Sequence, residues 1–252
     1  NILETTAALV ASGIDPKNNT IFVQSSVSAH AELAWIFNCI ARIGWLNRMT
    51  QFKEKAGSNK EKASVGLFTY PILMAADILI FNATHVPVGP DQAQHMEMAR
   101  DIAGKFNHTY SKIFNLPEAL IQNEISVPGI DGRKMSKSYN NIIPFLCSEK
   151  DLQKAVSKIL TNSLEPGVPK DCNNCNLYEL DSLFGNAEQI ASFKQAYSDG
   201  ISWGDAKKEL FTVINNEIVP IREKYFELNA QPDLLNDLFA DGARKVRPQA
   251  QE

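Results

Sequence analysis

A chain of 252 residues with 44% hydrophobic and 21% charged side chains can bury one large core or two modest ones, and its composition is neither fibrous nor disordered. A formal net charge of −4 excludes a non-specific coat for DNA or RNA, so any nucleic-acid partner has to be met by a local basic patch. The longest apolar stretch, residues 65–81, is interrupted by Thr69, Tyr70, Pro71 and Asp77 and reads as a core segment with no place in a membrane.

Apolar residues Ile2, Leu3, Ala7, Leu9 and Val10 fall on one helical face, and Gly13 supplies the stop before Asp15-Pro16. The run 20–24 predicts a short buried strand, and 29–49 a single helix, followed by a basic Gly- and Ser-containing loop over 53–63. Another helix is expected over 65–81, bent by Pro71. A strand at 85–89 then ends in a Gly-Pro turn and launches a helix over 91–106. This rhythm predicts an α/β layer with a parallel sheet, and the junction at Gly89 is where such folds place ligands. From Glu149 onward the periodicity is helical, over 149–160, 186–198 and 203–228, which predicts a second, all-helical domain beginning near Ser138.

The densest chemistry lies in the run 129–138, Gly-Ile-Asp-Gly-Arg-Lys-Met-Ser-Lys-Ser. Two glycines and two hydroxyl residues predict a mobile loop, and Arg133, Lys134 and Lys137 concentrate positive charge against an acidic background. Lysines spaced three apart can reach different phosphate oxygens, and a loop that moves them in late would stabilise charge developing on a departing pyrophosphate. A solvated basic turn is the plain alternative. Asp77, inside an apolar helix, is costly to bury unless something donates to it; a salt bridge, a helix cap, an indole N–H or a tyrosine hydroxyl would all serve.

The string Lys134-Met135-Ser136-Lys137-Ser138 is similar to the signature loop of class I aminoacyl-tRNA synthetases. The segments 70–79, 89–95 and 49–55 resemble, in order and spacing, those of bacterial tryptophanyl-tRNA synthetases. The resemblance covers nearly the whole chain. It implies a Rossmann-like catalytic domain over residues 1–137 and a helical anticodon-binding domain over 138–252. It also implies activation of L-tryptophan by ATP with Mg²⁺ and transfer to tRNA(Trp), in a cytoplasmic homodimer. Asp77 would take the indole N–H, with Tyr70 and Gln92 on the α-amino group and Met74 against the ring, although Met74 also suits a core. ATP would meet Gly89, Pro90, Asp91, Val127, Lys134, Met135, Ser136, Lys137 and Ser138; Asp91 also suits a simple helix N-cap. Lys134, Lys137 and Lys55 would act on the phosphates, Lys55 being equally readable as a solvated lysine. The alternatives are a tyrosyl-tRNA synthetase or other class I relative, and a non-catalytic tRNA- or nucleotide-binding paralogue.

The family's Thr-Ile-Gly-Asn-like segment does not occur in the sequence, and the chain opens at Asn1. Truncation before the first strand and signature loop is therefore expected, with the polar end 246–252 read the same way. Four cysteines fit a reducing compartment better than a disulfide framework. Cys172 and Cys175 have metal-ligand spacing with Cys147 upstream, and some members of the family carry an iron–sulfur cluster near here. A fourth ligand cannot be named, so a cysteine-containing loop is the expectation and no firm metal site is assigned.

Overall fold

The computed structural model describes residues 1–56, 60–121 and 126–251; the side chains of Glu54, Lys55 and Lys60 lie outside that description. In chain order the first helices are α1 (Ile2–Ala11), α2 (Ala29–Ile40), α3 (Ile43–Arg48), α4 (Thr50–Ala56) and α5 (Val65–Leu79). Strand β1 (His85–Val88), helix α6 (Ala93–Thr109) and strand β2 (Glu118–Ile121) follow. The remaining helices are α7 (Glu149–Ser157), α8 (Asn176–Phe184), α9 (Ala187–Ser198), α10 (Trp203–Asn229) and α11 (Pro232–Gln251). Two compact units result: Asn1–Pro16 with Ile125–Asn236, and Lys17–Glu124 with Asp237–Glu252. Ser138 lies within the first of these units.

In the unit Lys17–Glu124, α5 and α6 pack on each other and on α2 around Phe37, Ile72, Ala76, Leu79, Ala99 and Ile102. Ser64 starts α5 by accepting from the Leu67 N–H, and Pro71 is tolerated inside it, buried in the core. Strands β1 and β2 pair in parallel, His85 opposite Glu118 and Val88 opposite Ile121, with α6 as the crossover. The expected α/β layer is therefore present only as this two-stranded sheet among the described residues, and the chain is mostly helical.

Two expectations need correction here. Residues 20–24 do not form a strand; Gln24–Ser26 is a 3₁₀ turn. Backbone groups near this segment meet α11 instead of a neighbouring strand: Arg247 donates twice to the Ser26 carbonyl, at 3.1 and 2.9 Å. A Cβ at Gly242 would collide with the Ile21 carbonyl, so only glycine allows this approach. The single helix over 29–49 is also broken, with Ala41 and Arg42 extended between α2 and α3. At about 100° per residue, Phe37 and Leu46 would point to opposite sides of one straight helix. Both are buried in the same core, so the break re-aims Leu46. Strand β2 was not predicted, because Glu-Ala-Leu-Ile lacks strand propensity and is set by pairing with β1.

In the unit Asn1–Pro16 with Ile125–Asn236, α10 packs against α1, α7 and α8. Leu152, Val156, Leu177, Leu180, Tyr197, Leu210 and Ile214 form the core. The helix starts legible in the sequence are capped by side chains: Ser148 on α7, a reciprocal Asn186–Gln189 box on α9 and Ser202 on α10. Gly13, at φ 111°, ends the turn after α1 as its position predicts. Among the described residues no helix is long and apolar enough to cross a membrane.

Within this core Asp181 is 1% exposed. The Tyr197 hydroxyl donates to Asp181 Oδ2 at 3.2 Å, while Oδ1 is buried without a partner among the described residues. Burial raises the Asp181 carboxyl to about 7 from 3.8, more than the Tyr197 hydrogen bond lowers it. A folded-state value above the unfolded one means that the stabilisation is complete below pH 3.8 and lost as pH rises to about 7. Asp181→Asn is expected to remove this dependence and to stabilise the protein at pH 8 by roughly 2–4 kcal/mol. Urea unfolding at pH 5 and pH 8 checks this: the parent should weaken between the two while the variant stays level, and equal slopes would refute it.

Candidate functional site

Tyr70, Met74 and Asp77 lie at spacings of four and three along α5 and so share one face of the helix. Asp77 does find an internal partner: Gln24 Nε2 lies 2.7 Å from each carboxylate oxygen, and His30 Nδ1 lies 2.7 Å from Oδ1. Even so, 34% of the Asp77 side chain stays exposed, against 5% for His30. The group is stabilised from the protein side and open on another. Neither Gln24 nor His30 was singled out from sequence, because neither sits in a motif and each is brought to Asp77 only by the fold.

The Tyr70 hydroxyl donates to Gln51 Oε1 at 2.8 Å and lies 2.9 Å from His95 Nε2. His95 is 2% exposed, so this second polar link is drawn from the core side of α6. Desolvation pushes the Tyr70 phenol up from its ordinary value, keeping it a neutral donor and acceptor. Met74 packs on the same core as Phe68 and Leu73, consistent with a core role whether or not it also meets a ligand.

Gly89 precedes the 3₁₀ turn Pro90–Gln92, which runs into α6. Gly89 (φ −71°, ψ 161°) needs no special backbone freedom. Asp91 is not an N-cap; it lies inside the turn and accepts from Gln92 Nε2 at 2.9 Å. Neither Gly89 nor Gln92 caps with its side chain; the Gln92 N–H donates to the Gly89 carbonyl and the Ala93 N–H to the Pro90 carbonyl, so the 3₁₀ turn itself takes up the first donors. Gln94 accepts from the Thr50 backbone N–H at 2.9 Å and donates to the Arg48 carbonyl at 3.2 Å, fixing the start of α4 to α6. The side chain of Lys55, farther along α4, lies outside the described residues.

The other group of predicted residues is in the first unit. The segment after Val127 doubles back: Met135 N–H donates to the Val127 carbonyl and Gly129 N–H to the Arg133 carbonyl, each at 2.8 Å. Pro128 and Lys134 form an antiparallel bridge. Asn141, 1% exposed, ties the turn together. It accepts from the Ser136 N–H at 2.8 Å and donates to Asp131 Oδ1 at 2.7 Å and to the Lys134 carbonyl at 3.2 Å. Sequence reading missed Asn141 because it follows the motif and contributes no charge.

Gly129 cannot carry a side chain, since a Cβ would overlap Asn141, and Gly132 is held at φ 81° against Asn176. Asp131 is drawn below the usual carboxylate range by its bond from Asn141 and by Arg133. Arg133 is bound back to that carboxylate at 2.6 Å and stacks 4.5 Å above the Tyr139 ring. Of the three predicted cations, Arg133 is therefore committed within the loop. Lys134 and Lys137 are exposed, and the Ser136 and Ser138 hydroxyls lie 2.8 Å apart.

The cysteines do not gather as a ligand set. Among the described residues no group of three or more His, Cys, Asp or Glu could hold a metal ion. Cys147 donates its thiol to the Pro144 carbonyl at 2.9 Å. Burial raises the Cys147 and Cys172 thiols.

The family model described as tRNA synthetases class I (W and Y) matches residues 1–218. The chain belongs to this class I family. Within it, the chain is 44% identical to a tryptophan–tRNA ligase of Pseudomonas putida, matching over 97% of its own length and 57% of that protein's. It is 44% identical to the tryptophan–tRNA ligase of Neisseria meningitidis, over 98% of the chain and 76% of the relative. The crystal structure of a tryptophanyl-tRNA synthetase from Campylobacter jejuni, complexed with ADP and tryptophan, superposes with a TM-score of 0.92 at 42% identity. That match covers 99% of this chain and 78% of the other. The chain thus spans a little over half the length of the Pseudomonas relative.

Asn141→Ala removes the side-chain bonds that close the 129–138 turn and leaves the Ser136 N–H unpaired. A loss of about 2–3 kcal/mol is expected. Trypsin should cut faster after Arg133 or Lys134. Unchanged melting together with unchanged cleavage would refute the anchoring role.

Proposed function

We propose that the protein is a tryptophan–tRNA ligase, joining L-tryptophan to ATP as tryptophanyl-adenylate and passing the amino acid to tRNA(Trp). The observation that carries this reading is the aligned face of α5, where a partly exposed carboxylate is surrounded by core residues. High identity to tryptophan–tRNA ligases across nearly the whole chain supports it.

In this reading the Asp77 carboxylate accepts from the indole N–H. A phenylalanine side chain would leave the remaining acceptor site of that carboxylate unfilled, at a cost of about 1–3 kcal/mol. The α-ammonium donates to the Tyr70 oxygen and to the Gln92 carbonyl oxygen, which remains after its amide nitrogen binds Asp91. Met74 lies between them on the helix and packs against the ring. The Rossmann-like layer represented by β1, α6 and β2 offers the nucleotide Gly89, Pro90 and Asp91 at the 3₁₀ turn that leads into α6.

Val127, Met135, Ser136 and Ser138 shape the loop that meets the phosphates. Lys134, Lys137 and Lys55 share the charge that builds as the tryptophan carboxylate attacks the α-phosphorus and pyrophosphate leaves. Mg²⁺ carried by ATP would neutralise phosphate charge further. The helices after Ser138 are proposed to read the anticodon, and the setting is proposed to be cytoplasmic.

ATP–pyrophosphate exchange with the complete gene product tests the reading. Exchange should depend on tryptophan far more than on tyrosine, and absence of tryptophan-dependent exchange would sink it. Asp77→Ala should weaken tryptophan by roughly 100-fold, or ~3 kcal/mol, since the indole N–H would be buried without its acceptor. Lys137→Ala should slow adenylate formation more than it weakens ATP binding; an unchanged single-turnover rate would remove that lysine from the mechanism.

A homodimer is part of the proposal. Trp35 on α2 is 73% exposed, and Ile43 at 70% and Val65 at 77% are exposed as well, apolar side chains suited to burial against a second copy. Trp35→Glu should convert the dimer to monomer in analytical ultracentrifugation. A parent protein that sediments as a monomer would refute the assignment.

A further inference from the structure

The carboxylate of Asp77 can be accounted for atom by atom. A carboxylate has about four lone-pair sites. Oδ1 takes contacts from both His30 and Gln24, and Oδ2 takes one from Gln24, all at 2.7 Å. Among the described residues Asp77 has no other partner, so one acceptor site remains, on Oδ2. The exposed third of the side chain makes that site reachable.

His30 is built into this arrangement. Its ring is packed between Phe22, with centroids 5.8 Å apart, and Phe81, at 5.4 Å. Its Nε2 is buried with no hydrogen-bond partner among the described residues. An imidazolium would bury an N–H without an acceptor, whereas a neutral ring with its proton on Nδ1 buries only a lone pair. The hydrogen-bond partners thus assign the proton to Nδ1, pointing at Asp77. A neutral donor leaves the carboxylate its full negative charge, and an amide donor from Gln24 does the same.

We propose that His30 and Gln24 are positioning residues that hold Asp77 as a charged acceptor with a single open site on Oδ2, and so set the preference for an aromatic ring that carries an N–H. The inference rests on the reading of Asp77 as the indole acceptor and deepens it. A cationic partner such as Lys or Arg would neutralise the carboxylate and weaken its hold on a neutral N–H donor. Without either donor the carboxylate could rotate about its terminal torsion, and the open site would no longer face one direction.

The test uses the complete gene product and compares tryptophan with 3-(benzothiophen-3-yl)alanine, which replaces the indole N–H by sulfur at nearly constant shape. The readout is the ratio of kcat/KM for the two amino acids in ATP–pyrophosphate exchange. Gln24→Ala, at an exposed residue, and His30→Phe, which keeps the aromatic packing, should each lower that ratio roughly tenfold, chiefly through KM for tryptophan. His30→Asn, whose amide N–H can replace Nδ1–H, should retain most of the ratio. A ratio unmoved by Gln24→Ala and His30→Phe in an active parent overturns this inference alone. A loss in His30→Asn as large as in His30→Phe, with Gln24→Ala silent, makes the ring a packing residue and also overturns it. A parent protein inactive with tryptophan, or Asp77→Asn with the parent ratio, overturns the reading of the site together with the inference.

Discussion

A carboxylate in the middle of an apolar helix can be kept only if donors are brought to it, and the arrangement around α5 follows from that need. Asp77 is flanked by Ala75, Ala76, Ile78 and Leu79, all buried, so nothing on its own helix can pair with it. Gln24 and His30 come from a segment more than forty residues upstream and meet it at 2.7 Å. The Gln24 donor is an amide and satisfies the carboxylate without bringing a charge of its own. The same layer carries Tyr70, whose hydroxyl is held between Gln51 and His95. Polar groups on this face are thus paired from behind and open in front, the usual condition for a preformed ligand site.

Positive charge in the 129–138 loop is divided between structure and chemistry. Arg133 is spent on Asp131 and Tyr139, which shapes the turn, while Asn141 reads the backbone on both sides of it. Gly129 and Gly132 are required for two different reasons: one to admit Asn141, the other for a positive φ. The exposed lysines are consequently presented by a turn with a defined backbone.

Much of this was legible in the sequence, and the failures have identifiable physical causes. Gly13 marked the end of α1 because its effect is local. Asp77 and the lysine loop stood out because a charged group in an unusual setting is visible without coordinates, whereas Tyr70 was singled out only through the family resemblance. The strand at 20–24 was misread because a run of β-branched and aromatic residues signals burial equally well when no partner strand is beside it. The helix break at Ala41 escaped because periodicity on either side is helical, and only the shared core of Phe37 and Leu46 requires the turn. Gln24, His30 and Asn141 are common polar residues whose roles exist only through tertiary contacts.

The segment that carries Gln24 has no regular ladder of its own, and its position is set from far along the chain. Arg247 reaches the Ser26 carbonyl across a separation of 221 residues, and Gly242 lets α11 lie against the Ile21 carbonyl. Val27 is buried with Ala243 and Val246, while Phe22 and Phe81 pack against the same cluster. The ring of His30 rests on those two phenylalanines. The end of α11 therefore supports the donors, and the donors support the carboxylate. The pairing of Asp77 is in this sense a property of the packing that surrounds α5, which explains why the local sequence reveals the carboxylate but not what holds it in place.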